Sequence, residues 1–288
     1  MKGIMEQTLI SVTQLQALLD GPHPPLLLDL SSDLADTEAG ERSYAANHLP
    51  GAHYLHLDRD LSGSKTAADG SFRGRHPLPE REALAARLAN LGLSPDRQVV
   101  CYDAQGGMYA ARAWWLLRWL GHGAVAVLDG GLQAWQAQGG ALERGQPAPA
   151  PAAPFQPRDS LAPSVDAQAL QDGLGCLRLI DARAPERFRG EIEPLDRQAG
   201  HIPGASNRLF KLNLQEDGRF KPADQLRQEF QALLAPYEPH EVVHQCGSGV
   251  TACHNLLAME HAGLSGSRLY PGSWSEWSAD PRRPVAKA

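Results

Sequence analysis

A cysteine followed by small, neutral residues stands between an apolar run and a helical pattern. Cys246 follows Val242-Val243, and the loop Gly247-Ser248-Gly249-Val250-Thr251 leads into the next helix. In an open parallel sheet, ligands bind beyond the carboxyl ends of the strands. Two glycines let backbone N–H groups converge on an anion, and the positive end of the helix adds to this effect. The arrangement predicts a nucleophilic thiolate at Cys246, with a structural cysteine before a glycine-rich turn as the alternative.

Spacing disfavours two other reactions of a cysteine loop. A phosphatase of the Cys-x5-Arg type needs a guanidinium group to clasp phosphate oxygens, and Ala252 occupies that position. An acyl transfer of the papain type needs a base, for which His244 is near in sequence. His244 belongs to the strand before the loop, so we expect it to be a core or surface residue instead.

The chain around this loop repeats in two halves. Each half contains, in the same order, an apolar run ending in Asp, a Pro-Gly turn, a second apolar run with a small-residue loop, and a late strand followed by Gly and Trp. The paired segments are 26–29 with 177–181, 48–52 with 200–205, 98–103 with 241–246, and 125–131 with 267–273. Helical patterns at 84–91, 110–120, 223–234 and 252–262 alternate with these strands. The alternation predicts two α/β domains, each a parallel β-sheet with helices on both faces.

A proline-rich segment separates the halves. Residues 145–163 contain six prolines and few side chains that could pack. Such a composition favours an extended, semi-rigid connector. We therefore expect an N-terminal domain at 1–144, a linker at 145–163 and a C-terminal domain at 164–288.

Composition and charge exclude several classes of protein. The 288 residues carry a formal net charge of −6 without a basic run, which offers no footprint for nucleic acid or an anionic membrane. No stretch has the pattern of a membrane span or a signal peptide. The four cysteines lack disulfide or zinc spacing, and no nucleotide-binding glycine motif occurs. We therefore expect a cytoplasmic protein with no metal or other cofactor and with a small-molecule substrate.

Several motifs together point to one family. The paired His-x-Pro-Gly-Ala turns, the segment Arg187-Phe188-Arg189-Gly190, the loop that starts at Cys246 and the ending Gly272-Ser273-Trp274 resemble the tandem rhodanese family of sulfurtransferases. The resemblance covers nearly the whole chain. It implies two rhodanese-like domains, of which only the C-terminal one is catalytic, with Asp103 in the place of the cysteine in the N-terminal copy. The neutral loop resembles the 3-mercaptopyruvate branch of the family.

The resemblance also implies a donor site. Arg187 matches an arginine that binds the donor's carboxylate, Arg197 is a match for a second one, and Tyr109 matches a residue that reaches toward the substrate. The other residues expected to bind the donor are Gly247, Gly249, Val250 and Thr251. Because this loop is neutral, a monoanionic keto acid suits it better than dianionic thiosulfate. We expect Arg183 and Arg189 to form surface or interdomain ion pairs.

A Ser-His-Asp relay is a further implication of the resemblance. Its matching residues are Ser248, His76 and Asp58, which would place the site across both domains; solvated loop residues are the alternative for His76 and Asp58. The relay would protonate the pyruvate enolate that leaves when Cys246 takes sulfur from 3-mercaptopyruvate. A thiol, cyanide or a thioredoxin-like reductant would then accept sulfur from the persulfide. A thiosulfate sulfurtransferase and a non-enzymatic persulfide carrier or sensor are the alternatives.

Overall fold

Two compact units make up the chain in the computed structural model, which describes residues 5–145, 147 and 155–287. Unit 1 comprises Met1–Ser62, Pro79–Leu161 and Glu216–Phe220, and unit 2 comprises Gly63–Leu78, Ala162–Gln215 and Lys221–Ala288. Gln146 and residues 148–154 of the expected linker lie outside the described residues. The domain boundaries expected from sequence stay predictions. Residues 63–78 belong to the unit that contains Cys246, although they lie in the first half of the sequence.

Unit 1 is built on a parallel sheet of five strands. The strands are β1 (Leu9–Ile10), β2 (Leu26–Asp29), β3 (His53–Tyr54), β4 (Val99–Tyr102) and β5 (Val125–Leu128). The helices are α1 (Val12–Leu19), α2 (Ala39–Ala46), α3 (Arg81–Asn90), α4 (Ala110–Trp119) and α5 (Gly131–Ala137). The strand order is β1-β5-β4-β2-β3, with all neighbours parallel. Every residue of β2, β4 and β5 is buried, which explains their continuous apolar runs.

Unit 2 is built on a parallel sheet of four strands. The strands are β6 (Arg178–Asp181), β7 (Ser206–Asn207), β8 (Val242–Gln245) and β9 (Arg268–Leu269). The helices are α6 (Ala167–Asp172), α7 (Pro185–Arg189), α8 (Ala223–Leu234), α9 (Ala252–His261) and α10 (Ser273–Trp277), with 3-10 turns at Phe210–Asn213 and Pro239–Glu241. The strand order is β7-β6-β8-β9, and all neighbours are parallel.

The two sheets have the same register at their centres. The last residue of β2 pairs with Tyr102 of β4, and the last residue of β6 pairs with Gln245 of β8. The next residue along the chain is Asp103 in the first case and Cys246 in the second. Strand pairing therefore supports the repeat found in the sequence, and Asp103 occupies the place of Cys246.

A histidine anchors each of the two Pro-Gly turns. His48 Nδ1 lies 2.7 Å from the carbonyl oxygen of Tyr44, and the two rings stack with centroids 4.0 Å apart. His201 Nδ1 lies 2.8 Å from the carbonyl oxygen of Phe188, and these rings stack with centroids 3.9 Å apart. The same contact in both units indicates a structural role, as the occurrence of these histidines in both halves predicts.

Aromatic side chains fill much of the core. Trp114 and Trp115 of α4 are each 1% exposed, so their large rings are buried. In unit 2, Trp274 and Trp277 of α10 pack with Val243 of β8 in one apolar cluster. Among the described residues, every helix is too short or too polar to traverse a lipid bilayer.

Candidate active site

The loop of the predicted nucleophile is held from one side by the start of α10. The N–H of Cys246 donates to Ser273 Oγ (3.1 Å), and its carbonyl oxygen accepts from the N–H of Trp274 (3.0 Å). The carbonyl oxygen of Gly247 accepts from the N–H of Ser275 (2.9 Å). Because Cys246 is only 2% exposed, its thiol lies almost entirely inside the protein.

The same loop turns its backbone N–H groups away from the protein's own acceptors. Within the described part of the chain, the N–H groups of Gly247, Ser248, Val250 and Thr251 donate no hydrogen bond. Gly249 has a φ of +76°, and a Cβ there would lie 2.3 Å from the carbonyl oxygen of Pro271, so the bend requires glycine. Open N–H groups in a curled loop before a helix favour a bound anion.

Ser248 meets a histidine that is remote in sequence. His76 Nδ1 lies 2.7 Å from Ser248 Oγ, and the two residues are 6% and 5% exposed. His76 is therefore buried rather than solvated. A hydroxyl and an imidazole at this distance can pass a proton, and Ser248 is two residues from the thiol in the loop.

The segment that carries His76 docks on α10 through its backbone. Gly74 has a φ of +96°, and a Cβ there would lie 2.8 Å from the carbonyl oxygen of Gly272. The N–H of Arg75 donates to Ser275 Oγ (3.1 Å). This close approach fixes the position of His76, which comes next in the chain.

The repeated sheets and the cysteine loop agree with a match to a known protein family. The model of the rhodanese-like domain matches residues 11–138 and 166–280. The chain belongs to the rhodanese family. Two matched segments in one chain confirm the prediction of two tandem rhodanese-like domains.

Relatives of this rhodanese have names that describe sulfur transfer. It is 51% identical to a Pseudomonas aeruginosa protein named a probable 3-mercaptopyruvate sulfurtransferase, covering 96% of this chain and 97% of that protein. It is 40% identical to a Mycobacterium tuberculosis protein provisionally named a thiosulfate sulfurtransferase, covering 98% and 97%. The solved 3-mercaptopyruvate sulfurtransferase from Leishmania major matches with a TM-score of 0.82 and 29% identity, covering 97% of this chain and 76% of that chain. The prediction of a sulfurtransferase is confirmed.

Two guanidinium groups of the rhodanese lie over the cysteine loop. Arg187 Nη2 donates to Glu193 Oε1 (2.7 Å) and to Asp196 Oδ2 (3.1 Å). Arg75 forms an ion pair with the other oxygen of Asp196. An ideal Cβ on Gly247 would lie 2.7 Å from Arg75 Nη2 and 3.4 Å from Arg187 Nη1. Burial raises the pKa of Asp196, although its two arginine partners act in the opposite direction.

The prediction for Arg183 is wrong. This residue is only 3% exposed, and its guanidinium lies 4.8 Å from the centre of the Trp274 ring. It donates to Asp181 Oδ2 (2.7 Å) and lies 3.4 Å from Glu193 Oε2, so its ion pairs are internal to unit 2. Arg189, by contrast, forms an exposed ion pair, as expected.

The first rhodanese domain has a carboxylate where the second has a thiol. Asp103 Oδ1 accepts from the N–H groups of Gln105 and Gly107 (2.8 Å each), and Oδ2 accepts from those of Tyr109 and Ala110 (2.9 Å each). The N–H groups of this loop therefore already hold an anion that belongs to the chain. This arrangement agrees with a non-catalytic copy.

His244 and Cys253 are core residues. His244 Nε2 lies 3.0 Å from Met259 Sδ, and burial lowers the pKa of His244 to about 3. Cys253 is fully buried, with its thiol 3.3 Å from the carbonyl oxygen of Gly249. A neutral imidazole in the core does not serve as a base for the loop.

The roles expected for Asp58, Tyr109 and Arg197 stay predictions. Asp58 is partly buried in unit 1, where its N–H donates to His56 Nδ1 (3.0 Å). Tyr109, also in unit 1, is 3% exposed, and burial raises the pKa of its phenol. Arg197 is exposed and forms no hydrogen bond or ion pair with the described residues. Those residues contain no cluster of His, Cys, Asp and Glu that could hold a metal ion.

Sequence reasoning missed Arg75. Its partner Asp196 lies 121 residues away, so no local pattern joins the two. Its place directly before His76 was the single available signal, because a segment that delivers one side chain to a site also delivers its neighbours.

Proposed function

We propose that this rhodanese transfers sulfur from 3-mercaptopyruvate to a thiol or cyanide acceptor through a persulfide on Cys246. The observation that carries the proposal is the 2.7 Å contact between His76 Nδ1 and Ser248 Oγ in the loop of the thiol. A keto-acid donor leaves as an enolate that must gain a proton at carbon, whereas thiosulfate leaves as sulfite. A proton-transferring pair beside the nucleophile therefore favours the keto acid.

In the first half-reaction, the thiolate of Cys246 attacks the sulfur of the donor. An S–S bond forms while the donor's C–S bond breaks, and the electron pair of the C–S bond passes into the carbonyl to give the pyruvate enolate. The sulfhydryl proton stays on the outer sulfur. His76 and Ser248 deliver a proton to the enolate carbon, which yields pyruvate, and Asp58 is proposed as the third member of this relay.

Charge in the loop supports a monoanionic donor. Arg187 is proposed to bind the donor's carboxylate, since a guanidinium group matches a carboxylate with two parallel hydrogen bonds. Tyr109 and Arg197 are proposed as further contacts of the donor. The neutral loop residues proposed to surround it are Gly247, Gly249, Val250 and Thr251. The open N–H groups of this loop stabilise the negative charge of the Cys246 thiolate.

In the second half-reaction, a nucleophile attacks the outer sulfur and releases the Cys246 thiolate, which gives ping-pong kinetics. We propose a small thiol, cyanide or a thioredoxin-like reductant as acceptor, and the cytoplasm as the location. Free thiols at Cys101, Cys176, Cys246 and Cys253 support a reducing compartment.

Thiosulfate is the second candidate donor, which the name of the Mycobacterium tuberculosis relative supports. Steady-state kinetics with both donors separate the candidates. We expect a higher kcat/KM for 3-mercaptopyruvate, and the reverse order would overturn the donor assignment.

Mass spectrometry tests the persulfide itself. After addition of 3-mercaptopyruvate, the peptide that contains Cys246 should carry one additional sulfur, and Cys246→Ser should abolish both this adduct and turnover. Cys176→Ser, at an exposed thiol, is the matched control and should retain both. An adduct on Cys246 with slow turnover by small acceptors, together with a stable complex with a protein partner, would favour a persulfide carrier.

A further inference from the structure

Two arginines in unit 2 present unused N–H groups to the residue that follows the nucleophile. Arg187 donates through Nε and Nη2 to Glu193 and Asp196, and Arg75 donates through Nη1 to Asp196. Within the described residues, Arg187 Nη1 and Arg75 Nη2 donate to no acceptor. These nitrogens lie 3.4 Å and 2.7 Å from the ideal Cβ position of Gly247. Glu193 and Asp196 thus bind one edge of each guanidinium group. The opposite edge, with Arg187 Nη1 or Arg75 Nη2, faces the loop.

We propose that Arg75 is the second arginine that binds the donor's carboxylate, opposite Arg187, and that Asp196 is the positioning residue for both. This inference rests on the proposed function and adds a residue to its donor site. Each oxygen of Asp196 contacts one of the two arginines, and the Asp196 side chain is only 5% exposed. Each oxygen of the donor's carboxylate would then have its own guanidinium N–H donor, which is the strong form of this hydrogen bond.

The length of the donor fits this placement. In 3-mercaptopyruvate, two carbon atoms separate the sulfur from the carboxylate. Gly247 directly follows Cys246 and leaves the space above its Cα without a side chain. A donor with its sulfur at the thiol can therefore place its carboxylate between Arg75 and Arg187.

The ion pairs of Arg75 and Arg187 favour a donor that carries one negative charge. Arg187 shares Glu193 with Arg183. Among the described residues, these contacts connect three guanidinium groups with three carboxylates, namely Arg75, Arg183 and Arg187 with Asp181, Glu193 and Asp196. The cluster is neutral as a whole, so it offers directed hydrogen bonds without an excess of positive charge. A dianion such as thiosulfate would bring twice the negative charge of a keto acid to a cluster with no excess positive charge, so its desolvation would be compensated less well.

The neighbouring Arg197 lacks these features. It is exposed, while Asp196 points into the cluster. In this stretch of the chain the buried side chain is an acid, and the second cation comes from residues 63–78 instead. Arg197 is therefore the rival candidate for the second arginine, and Arg189, which forms an exposed ion pair with Glu191, provides the matched control.

The test compares Arg75→Gln with the rival variant Arg197→Gln and with the control Arg189→Gln in steady-state kinetics. For Arg75→Gln we expect the KM for 3-mercaptopyruvate to rise about 10- to 100-fold, because a charge-assisted hydrogen bond is lost, with kcat and the KM for the acceptor little changed. Arg189→Gln, the control, should behave as the wild type, and Arg197→Gln should raise the donor KM less than Arg75→Gln does. An unchanged donor KM in Arg75→Gln, or a larger increase in Arg197→Gln, would overturn the inference. A fall in kcat alone would indicate displacement of His76 and would also count against it.

A second variant of Arg75 and a binding measurement distinguish a loss of donor binding from a folding defect. Arg75→Lys retains the charge but cannot hold Asp196 and the donor at once, so its donor KM should also rise, and full activity would refute the paired-guanidinium geometry. Pyruvate binding, measured by calorimetry without turnover, should weaken in both variants at unchanged thermal stability. If the wild type forms no persulfide from 3-mercaptopyruvate, the proposed function fails. If it does and Arg75→Gln binds pyruvate normally, only the role of Arg75 fails.

Discussion

The side chains of His76 and Ser248 are hydrogen-bonded at 2.7 Å, although 172 residues separate them along the chain. The contact exists because residues 63–78 dock on the start of α10, where Arg75 and Ser275 share a backbone-to-side-chain hydrogen bond. In the proposed function, the cysteine loop supplies the nucleophile and this docked segment supplies the imidazole. The proposed proton transfer would therefore depend on both segments.

Removal of the Ser248 hydroxyl should affect turnover of the two donors to different extents. In Ser248→Ala we expect kcat with 3-mercaptopyruvate to fall about 100-fold, the lower range for loss of general acid–base help. Turnover of thiosulfate should fall less, because no enolate needs a proton. Steady-state assays with both donors check this, and Ser265→Ala at an exposed position is the control. Equal losses with both donors would contradict a role of Ser248 in proton transfer.

A methyl group on Gly247 should disturb donor binding more than folding. The Cβ of Gly247→Ala would lie 2.7 Å from Arg75 Nη2, at the end of a flexible side chain that can shift. We expect a higher KM for the donor and a nearly unchanged melting temperature. Gly249→Ala is the contrasting variant, because its Cβ meets a backbone oxygen at 2.3 Å and its φ is +76°. That variant should lose about 1–3 kcal/mol of folding free energy, and equal melting temperatures for the two would contradict the distinction.

Loss of the Asp103 carboxylate should weaken the fold rather than the chemistry. Asp103→Ala leaves four N–H groups without their acceptor, and three of these hydrogen bonds are buried. We expect the free energy of unfolding to fall by about 2–4 kcal/mol, since hydrogen bonds to a charged group are involved. Urea unfolding measures this, with Asp33→Ala as an exposed control that also loses a backbone hydrogen bond. A stability equal to the wild type would show that the loop holds its shape without the anion.

The stabilising contribution of the Glu229 carboxylate should be lost in acid. Burial alone would raise the pKa of Glu229, but hydrogen bonds from Arg208, Lys221 and Gln225 lower it from its ordinary value of 4.5 to about 2. A carboxylate whose pKa is lower in the folded state stabilises the fold above about pH 4.5, and this stabilisation is lost as the pH falls toward 2. Because the group is partly solvated, we expect it to contribute about 1–2 kcal/mol at neutral pH.

The variant Glu229→Gln isolates this contribution. Urea unfolding of wild type and variant from pH 6 to pH 3 should give a stability difference that shrinks as the pH falls. A difference that stays constant over this range would mean that the carboxylate does not change its charge as inferred. Because other groups titrate equally in both proteins, they cancel in the difference.

Periodic segments could be predicted from the sequence to within a few residues. The helix pattern at 223–234 coincides with α8, and those at 110–120 and 252–262 end one residue beyond α4 and α9. Apolar spacing in these segments reflects one buried face, which the sequence displays directly. The repeat also located the equivalence of Asp103 and Cys246, because each follows a buried strand.

Contacts of irregular segments could not be predicted in the same way. Residues 63–78 have no apolar period, and Arg75 contacts residues 121 and 200 positions away. The burial of Arg183 escaped prediction for a related reason: a guanidinium is buried only where acids and an aromatic ring enclose it, and Glu193 and Trp274 reach it from outside its own strand and turn. Such clusters become visible only when the fold is known.

If the proposed persulfide chemistry holds, the carboxylate of Asp103 should limit each chain to one bound sulfur atom. In the second domain the loop has room for a transferred sulfur atom. In the first domain the side chain of Asp103 always occupies the equivalent position. The first domain should therefore bind no transferred sulfur, and each polypeptide should hold a single sulfur atom between the first and the second half-reaction.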